Sequence, residues 1–265
     1  MSKTGLNRTI TDKFYTKEEV VLECLKYIPK INKDDIIIEP SAGNGAFSDK
    51  LRLGYNNVLA FDIDPEKDYI TKQDYLNIVP PSGRIHVIGN PPFGRQSSLA
   101  KKFIKKSSEF SQTVSFILPK SFKKDSFMLT FPLQFHLVVS IDLPKNSFLI
   151  DKKEYDVPCV FQVWEKRNTN RKVLVHSSPS YYKYVKKTEN PSVSIRRVGF
   201  YAGEICLDYK SKSIQSHYFL NLDKDIDIED FIKRYKETVS FDFNNSVGAR
   251  SISKGELNDK LNLLK

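Results

Sequence analysis

Between residues 36 and 118, short apolar runs alternate with helical stretches, and this alternation restricts the chain more than any other feature. Residues 36–38, 57–61, 85–88 and 114–118 read as strands. Residues 45–53 and 97–110 read as helices, and residues 121–131 can be helical. Pro119 stops the fourth strand because it lacks a backbone donor. Strand–helix alternation favours a mostly parallel sheet wrapped by helices. Two later strand patterns, 136–141 and 157–164, have no convincing helix between them, so an antiparallel edge is expected there. Ahead of the first strand, residues 16–28 read as an amphipathic helix. Thr16 is its expected N-cap and Glu19 completes a capping box. After Trp164 the pattern changes. Arg167-Asn168-Thr169-Asn170 reads as a linker, followed by strands at 192–198, 204–209 and 217–222 and helices near 228–238 and 256–264. The expectation is an α/β domain over 1–166 and a small basic α+β region over 167–265.

Parallel sheets of this kind bind ligands at the carboxyl ends of their strands. Four loops at those ends carry polar residues. Glu39-Pro40-Ser41-Ala42-Gly43-Asn44-Gly45 follows the first strand, and its glycines allow a sharp turn with a ligand close to the main chain. A third glycine and a Gly-Lys-Ser/Thr are both missing, so neither a dinucleotide nor a triphosphate is favoured. Asp62, 17 positions after Gly45, is placed to bind ribose hydroxyls, with Ile63 beside it. Asp64 before Pro65 reads as a helix N-cap as readily as a ligand residue. Asp74, in Gln73-Asp74-Tyr75, either accepts from an adenine or is a solvated turn residue.

Asn90-Pro91-Pro92-Phe93 forms the fourth loop. The Asn side-chain oxygen and the Pro91 carbonyl can each accept one N–H of an exocyclic amino group. Pro91 and Pro92 stiffen the loop, and Phe93 offers a flat face on which a base can stack. Two acceptors on one NH2 pull the nitrogen from planarity and aim its lone pair at an electrophile.

The paired segments 39–45 and 89–94 resemble the S-adenosylmethionine-dependent amino-methyltransferases, in particular the adenine-N6 enzymes. Asp12-Lys13-Phe14-Tyr15-Thr16 is similar to a segment that, in that family, packs over the methionine part of the cofactor. The resemblance covers about residues 12–166. It implies a Rossmann-like methyltransferase fold with a seven-stranded mixed sheet and a reversed last strand. It also implies S-adenosylmethionine bound by Phe14, Tyr15, Thr16, Glu39, Pro40, Ser41, Gly43, Gly45, Asp62, Ile63, Asp74 and Asn90, with catalysis by Asn90, Pro91, Pro92 and Phe93. Methyl transfer would be direct displacement by the amino nitrogen. A covalent route needs a cysteine on the loop that here is Asn90–Phe93, and Cys159 falls inside a later strand pattern instead.

The acceptor is read from charge. The chain carries a formal net charge of +10, which favours a polyanionic partner. From Lys166 to Lys187 there are Lys166, Arg167, Arg171, Lys172, Lys183, Lys186 and Lys187 with no acid, and Tyr181, Tyr182 and Tyr184 interleave with them. Lysines that track a backbone plus aromatics that stack on bases form a nucleic-acid pattern; the alternative is a solvated face over a small tyrosine core. Lys183, Lys186 and Lys187, with Phe93, are the candidate substrate contacts. Lys101, Lys102, Lys105, Lys106, Lys120, Lys123 and Lys124 either flank a substrate channel or face solvent. DNA adenine is favoured, with RNA adenosine as the alternative. Protein glutamine methylation and a non-catalytic partner subunit are further alternatives, and a homodimer is possible. Three separated cysteines, scattered histidines and no apolar stretch of spanning length lead to the expectation of an intracellular protein, cytoplasmic or nuclear, with no metal and no membrane contact.

Overall fold

The structure is a computed structural model that describes residues 14–244 and 249–264. Asp12 and Lys13 of the expected cofactor segment lie outside the described residues. In chain order the first elements are β1 (Tyr15–Thr16), α1 (Glu18–Leu25), β2 (Ile36–Glu39), α2 (Ala46–Leu51), β3 (Val58–Asp62), β4 (Thr71–Lys72), β5 (Ile85–Gly89) and α3 (Ser98–Phe110). They are followed by β6 (Thr113–Pro119), α4 (Asp125–Met128), β7 (Phe135–Asp142), β8 (Phe148–Ile150), β9 (Lys153–Tyr155) and β10 (Cys159–Lys166). The remainder is β11 (Tyr182–Tyr184), β12 (Val193–Arg196), β13 (Ile205–Cys206), β14 (His217–Leu222), α5 (Ile228–Thr238) and α6 (Lys254–Leu261).

Seven strands form one sheet in the order β4-β3-β2-β5-β6-β10-β7. β4, β3, β2, β5 and β6 are mutually parallel, while β10 runs antiparallel to both β6 and β7. This is the Rossmann-like methyltransferase topology. The reversed strand is inserted next to the edge, and β7 forms the edge itself.

The central strands are apolar at nearly every position because both faces are covered. Side chains alternate between faces along a strand. Ile38, Val87 and Phe116 pack with Phe103 and Ile104 of α3 on one side. Ile37, Ile88 and Ile117 pack with Val20, Val21 and Cys24 of α1 and Phe47 and Leu51 of α2 on the other. Cys159 is buried at the start of β10 and belongs to this second core.

Two local expectations are corrected. Thr16 is not a helix cap. It lies in β1, paired with Phe148 of β8, and α1 begins at Glu18 after Lys17, whose side chain makes no cap bond. The segment between β7 and β10 is not a plain loop but the β8–β9 hairpin, and β1, β8 and β9 form a small sheet of their own.

The division expected after residue 166 falls instead between Lys172 and Val173. Residues 167–172 stay with the first unit because they are bonded to it. The Arg167 amide donates to the Gln134 carbonyl at 2.8 Å and the Arg171 amide to the Leu133 carbonyl at 2.8 Å. The second unit is a four-stranded sheet, β11-β14-β12-β13, with its own core built on Val193, Ile195, Leu220, Phe231 and Leu257.

Candidate active site

Most of the expected site residues of the first unit lie in the loops at the carboxyl ends of β2, β3, β4 and β5. The turn after β2 needs its glycines. Gly43 and Gly45 have φ of +51° and +80°, and a Cβ on Gly45 would overlap the Tyr69 hydroxyl. The Gly45 carbonyl accepts from the Asp49 amide at 2.9 Å, which starts α2. Asp62, at the end of β3, braces the same turn. One carboxylate oxygen accepts from the Gly43 amide at 2.7 Å and the other from the Asp64 amide at 2.8 Å. Next to it Ile63 stands 70% exposed, a large apolar side chain at a strand end with nothing over it. The Gln73 amide donates to the Asp62 carbonyl at 2.9 Å, so the loop after β4 lies alongside. There Asp74 caps a turn, accepting from the Leu76 amide and from Asn77 Nδ2, both at 2.9 Å.

Glu39 is buried at the end of β2. Its Oε2 accepts from the Ser48 amide at 2.7 Å. Burial pushes its carboxyl up to about 8, and the hydrogen bonds from Ser48 oppose that shift without cancelling it. Burial thus favours the protonated form of the acid. Pro40 packs beside it, and both approach Gly89 so closely that a Cβ there would lie 3.3 Å from Glu39 Cγ and Pro40 Cδ.

The loop after β5 is pinned from two sides. Ser41 Oγ donates to the Asn90 carbonyl at 3.0 Å, and Asn90 Nδ2 donates to Thr16 Oγ1 at 3.2 Å. These bonds leave Asn90 Oδ1 buried with no hydrogen-bond partner among the described residues. A buried amide oxygen without a donor costs about 1–3 kcal/mol, and Ser111 Oγ and Ser115 Oγ are buried without partners as well. Phe93 is half-buried and touches both cores, while its carbonyl accepts from the Leu99 and Ala100 amides at 3.1 and 3.3 Å. The following Gln96 and Ser97 hold φ of +51° and +59°, a conformation costly for residues with a Cβ. Such strain is typical of backbone shaped for a ligand.

Of the N-terminal residues, Tyr15 and Thr16 join the site. A Cβ on Gly43 would meet the Tyr15 ring at 3.6 Å; the Tyr15 hydroxyl donates to Glu66, whose amide in turn donates to the Gly43 carbonyl at 3.1 Å. Phe14 turns away, packing edge-on against Phe148 and Tyr155 at 6.3 and 5.4 Å. Glu66, Ser48 and Tyr69 were not singled out from sequence. Tyr69 donates to Asp49 and lies 3.2 Å from Ser48 Oγ, under the Arg52 guanidinium. The one signal that could have found it is the demand for glycine at 45.

The basic segment 166–187 does not form the stacking surface expected of it. Tyr181 and Tyr182 are each 2% exposed and are core residues. Their hydroxyls donate inward, Tyr181 to the Leu261 carbonyl and Tyr182 to Asn258 Oδ1 at 2.7 Å. Arg171 also points inward: its guanidinium donates to the carbonyls of Met128, Phe131, Pro132 and Phe135 at 2.6–3.0 Å. Lys187 donates to the Lys212 carbonyl at 2.7 Å, while Lys183 and Lys186 are exposed. Lys120 and Lys123 pair with Asp142 at 3.4 and 3.0 Å, and Lys101 lies over the Phe127 ring at 4.3 Å. Among the described residues no group of three His, Cys, Asp or Glu could hold a metal, and no helix is long and apolar enough to cross a membrane.

No protein-family model matches the chain. Over 102 residues it is 33% identical to the Type II methyltransferase M.HincII of Haemophilus influenzae, covering 36% of this chain and 20% of that one. The Type II methyltransferase M.HindII of Haemophilus influenzae matches with the same identity and coverage. The matched stretch thus spans about one-fifth of those relatives. Among solved structures, a 23S rRNA methyltransferase, ErmE, superposes with a TM-score of 0.46 at 15% identity, covering 59% of this chain and 71% of that one. A dimethyladenosine transferase from Plasmodium falciparum gives a TM-score of 0.42 at 16% identity over 58% of this chain and 63% of that one.

Proposed function

We propose that the chain is an S-adenosylmethionine-dependent methyltransferase that modifies the N6 amino group of adenine in DNA. The observation that carries this reading is the buried, unpartnered Asn90 Oδ1, beside a Pro91 carbonyl that accepts nothing from the described residues. Two open acceptors on one rigid loop suit the two N–H bonds of an exocyclic amino group. The partial similarity to Type II methyltransferases supports the reaction class and favours DNA. With Tyr181 and Tyr182 buried, base stacking by those residues no longer supports it.

The residues fit the cofactor. Gly43 and Gly45 keep the turn open, Ile63 offers an apolar face to an adenine, and Asp62 and Asp74 stand at adjacent strand ends to meet ribose and base. Tyr15 would cover the amino-acid end, and Thr16 would act through Asn90. Glu39 ionises more readily near an ammonium group. S-adenosylmethionine, when bound, supplies a methyl group on a sulfonium. Asn90 Oδ1 and the Pro91 carbonyl orient the target amino group and stabilise the positive charge that grows on its nitrogen. Phe93 holds the base against its ring. In a duplex the base must first leave the stack, at a few kcal/mol.

The test is methyl transfer from labelled S-adenosylmethionine to duplex DNA, single-stranded DNA and RNA in parallel, with nucleosides identified by mass. N6-methyldeoxyadenosine is expected. N6-methyladenosine from RNA alone would move the substrate to RNA, and no methylated nucleoside from any pool would overturn the reading. Asn90→Ala is expected to lower turnover about 10²–10³-fold with cofactor affinity near wild type; loss of both would make the loop structural.

A further inference from the structure

Phe200 and Tyr201 are 72% and 59% exposed, side by side in the turn between β12 and β13. Their rings meet edge to face at 5.1 Å. Two large aromatic rings facing solvent together are uncommon on a surface that touches nothing. The turn that presents them is held in place. The Arg196 guanidinium donates to the Val198 carbonyl at 3.1 Å, and the Arg196 carbonyl accepts from the Gly203 amide at 2.7 Å. The Gly199 amide donates to the Arg250 carbonyl at 2.9 Å, and Arg250 Nη1 donates to the Phe200 carbonyl at 3.2 Å. The rings are thus fixed outward rather than left on a loose loop.

Their surroundings are cationic. The Arg250 guanidinium lies 5.0 Å from the Phe200 ring centre and that of Arg196 lies 5.8 Å from Tyr201. Neither arginine, nor the neighbouring Arg197, pairs with a carboxylate among the described residues. Glu204 is the only acid in the segment 196–206. We propose that this turn is a nucleic-acid contact, with Phe200 and Tyr201 stacking on bases and Arg196 and Arg250 meeting the flanking phosphates. The inference deepens the functional reading and rests on its nucleic-acid substrate. Flat rings satisfy any base face without reading sequence, and unpaired guanidinium groups suit phosphate geometry. Unlike Tyr181 and Tyr182, these rings are accessible.

Binding of labelled duplex DNA, its single strand and single-stranded RNA to the whole protein, measured by fluorescence anisotropy, tests this without requiring turnover. Phe200→Ala and Tyr201→Ala are each expected to weaken binding about tenfold, with cofactor affinity and melting temperature unchanged; Phe200→Trp should retain binding. Arg250→Ala should reduce the salt slope by about one. Wild-type affinity in both alanine variants would overturn the contact and leave the functional reading intact. If the wild-type protein binds cofactor but no nucleic acid of any kind, the nucleic-acid substrate and this surface both fall.

Discussion

Thr16 and Asn90 lie 74 residues apart in sequence, and one hydrogen bond joins them. That bond fixes which way the Asn90 amide is turned: with Nδ2 held by Thr16, Oδ1 is left as the unpartnered acceptor. Thr16 is thus a positioning residue. Thr16→Val keeps the shape and loses the acceptor, so the amide is free to rotate. Turnover should fall about 10- to 100-fold, with a smaller change in cofactor affinity, and Thr16→Ser should restore most of it. Equal losses of turnover and cofactor affinity would place Thr16 on the cofactor instead. Glu39 gives a pH-dependent counterpart. Its folded-state value, about 8, lies above the ordinary 4.5. Its contribution to stability is therefore fully present below about 4.5 and is lost as pH rises through about 8. Glu39→Gln mimics the neutral acid, so thermal melts across that range should show a flatter decline with rising pH than wild type. An identical decline would mean that Glu39 is not held neutral. The Asn90 loop and the glycine turn were legible in sequence because each chemistry lies in contiguous residues. The Thr16 contact was not, since a β-branched hydroxyl two residues before a helix looks the same as a cap.

At the scale of elements, the strands buried on both faces were legible from uninterrupted apolar runs, and α5 from its spacing. The β8–β9 hairpin was hidden for a physical reason. Its two-residue turn, Asp151-Lys152, takes φ of +48° and +64°, and lysine gives no signal for that conformation. β1, its partner, is two residues long and pairs across more than 130 positions. Arg171 was misread similarly, since composition counts a charge without showing its direction. It satisfies four carbonyls over 128–135, closing the α4 turn and the entry to β7, and lies 5.1 Å over the Trp164 ring. Arg171→Ala should cost about 2–3 kcal/mol in denaturant unfolding. Arg171→Lys should recover little of this, because one ammonium cannot reproduce a planar fork. A neutral Arg171→Ala would show the carbonyls to be solvated.

Across the whole molecule, the basic excess is not where the lysine-rich segment suggested. Residues 173–265 hold 15 Lys and Arg against 12 Asp and Glu, whereas residues 1–172 hold 27 against 20. Most of the net charge, and most long-range attraction for a polyanion, therefore belongs to the unit that carries the candidate active site. The second unit would add contacts rather than field. Its three candidate lysines are also unequal: Lys183 and Lys186 are exposed, whereas Lys187 is tied to the Lys212 carbonyl. On the nucleic-acid reading, replacing Lys183 and Lys186 with alanine should flatten the log–log salt dependence of binding by just under two, at about 0.9 per phosphate contact on duplex DNA. Lys187→Ala should leave that slope unchanged and lower the melting temperature instead, because it removes a half-buried donor. An equal effect on the slope from all three would mean that Lys187 leaves its carbonyl to meet phosphate. No effect from any would confine the phosphate contacts to the arginines near Phe200 and to the first unit.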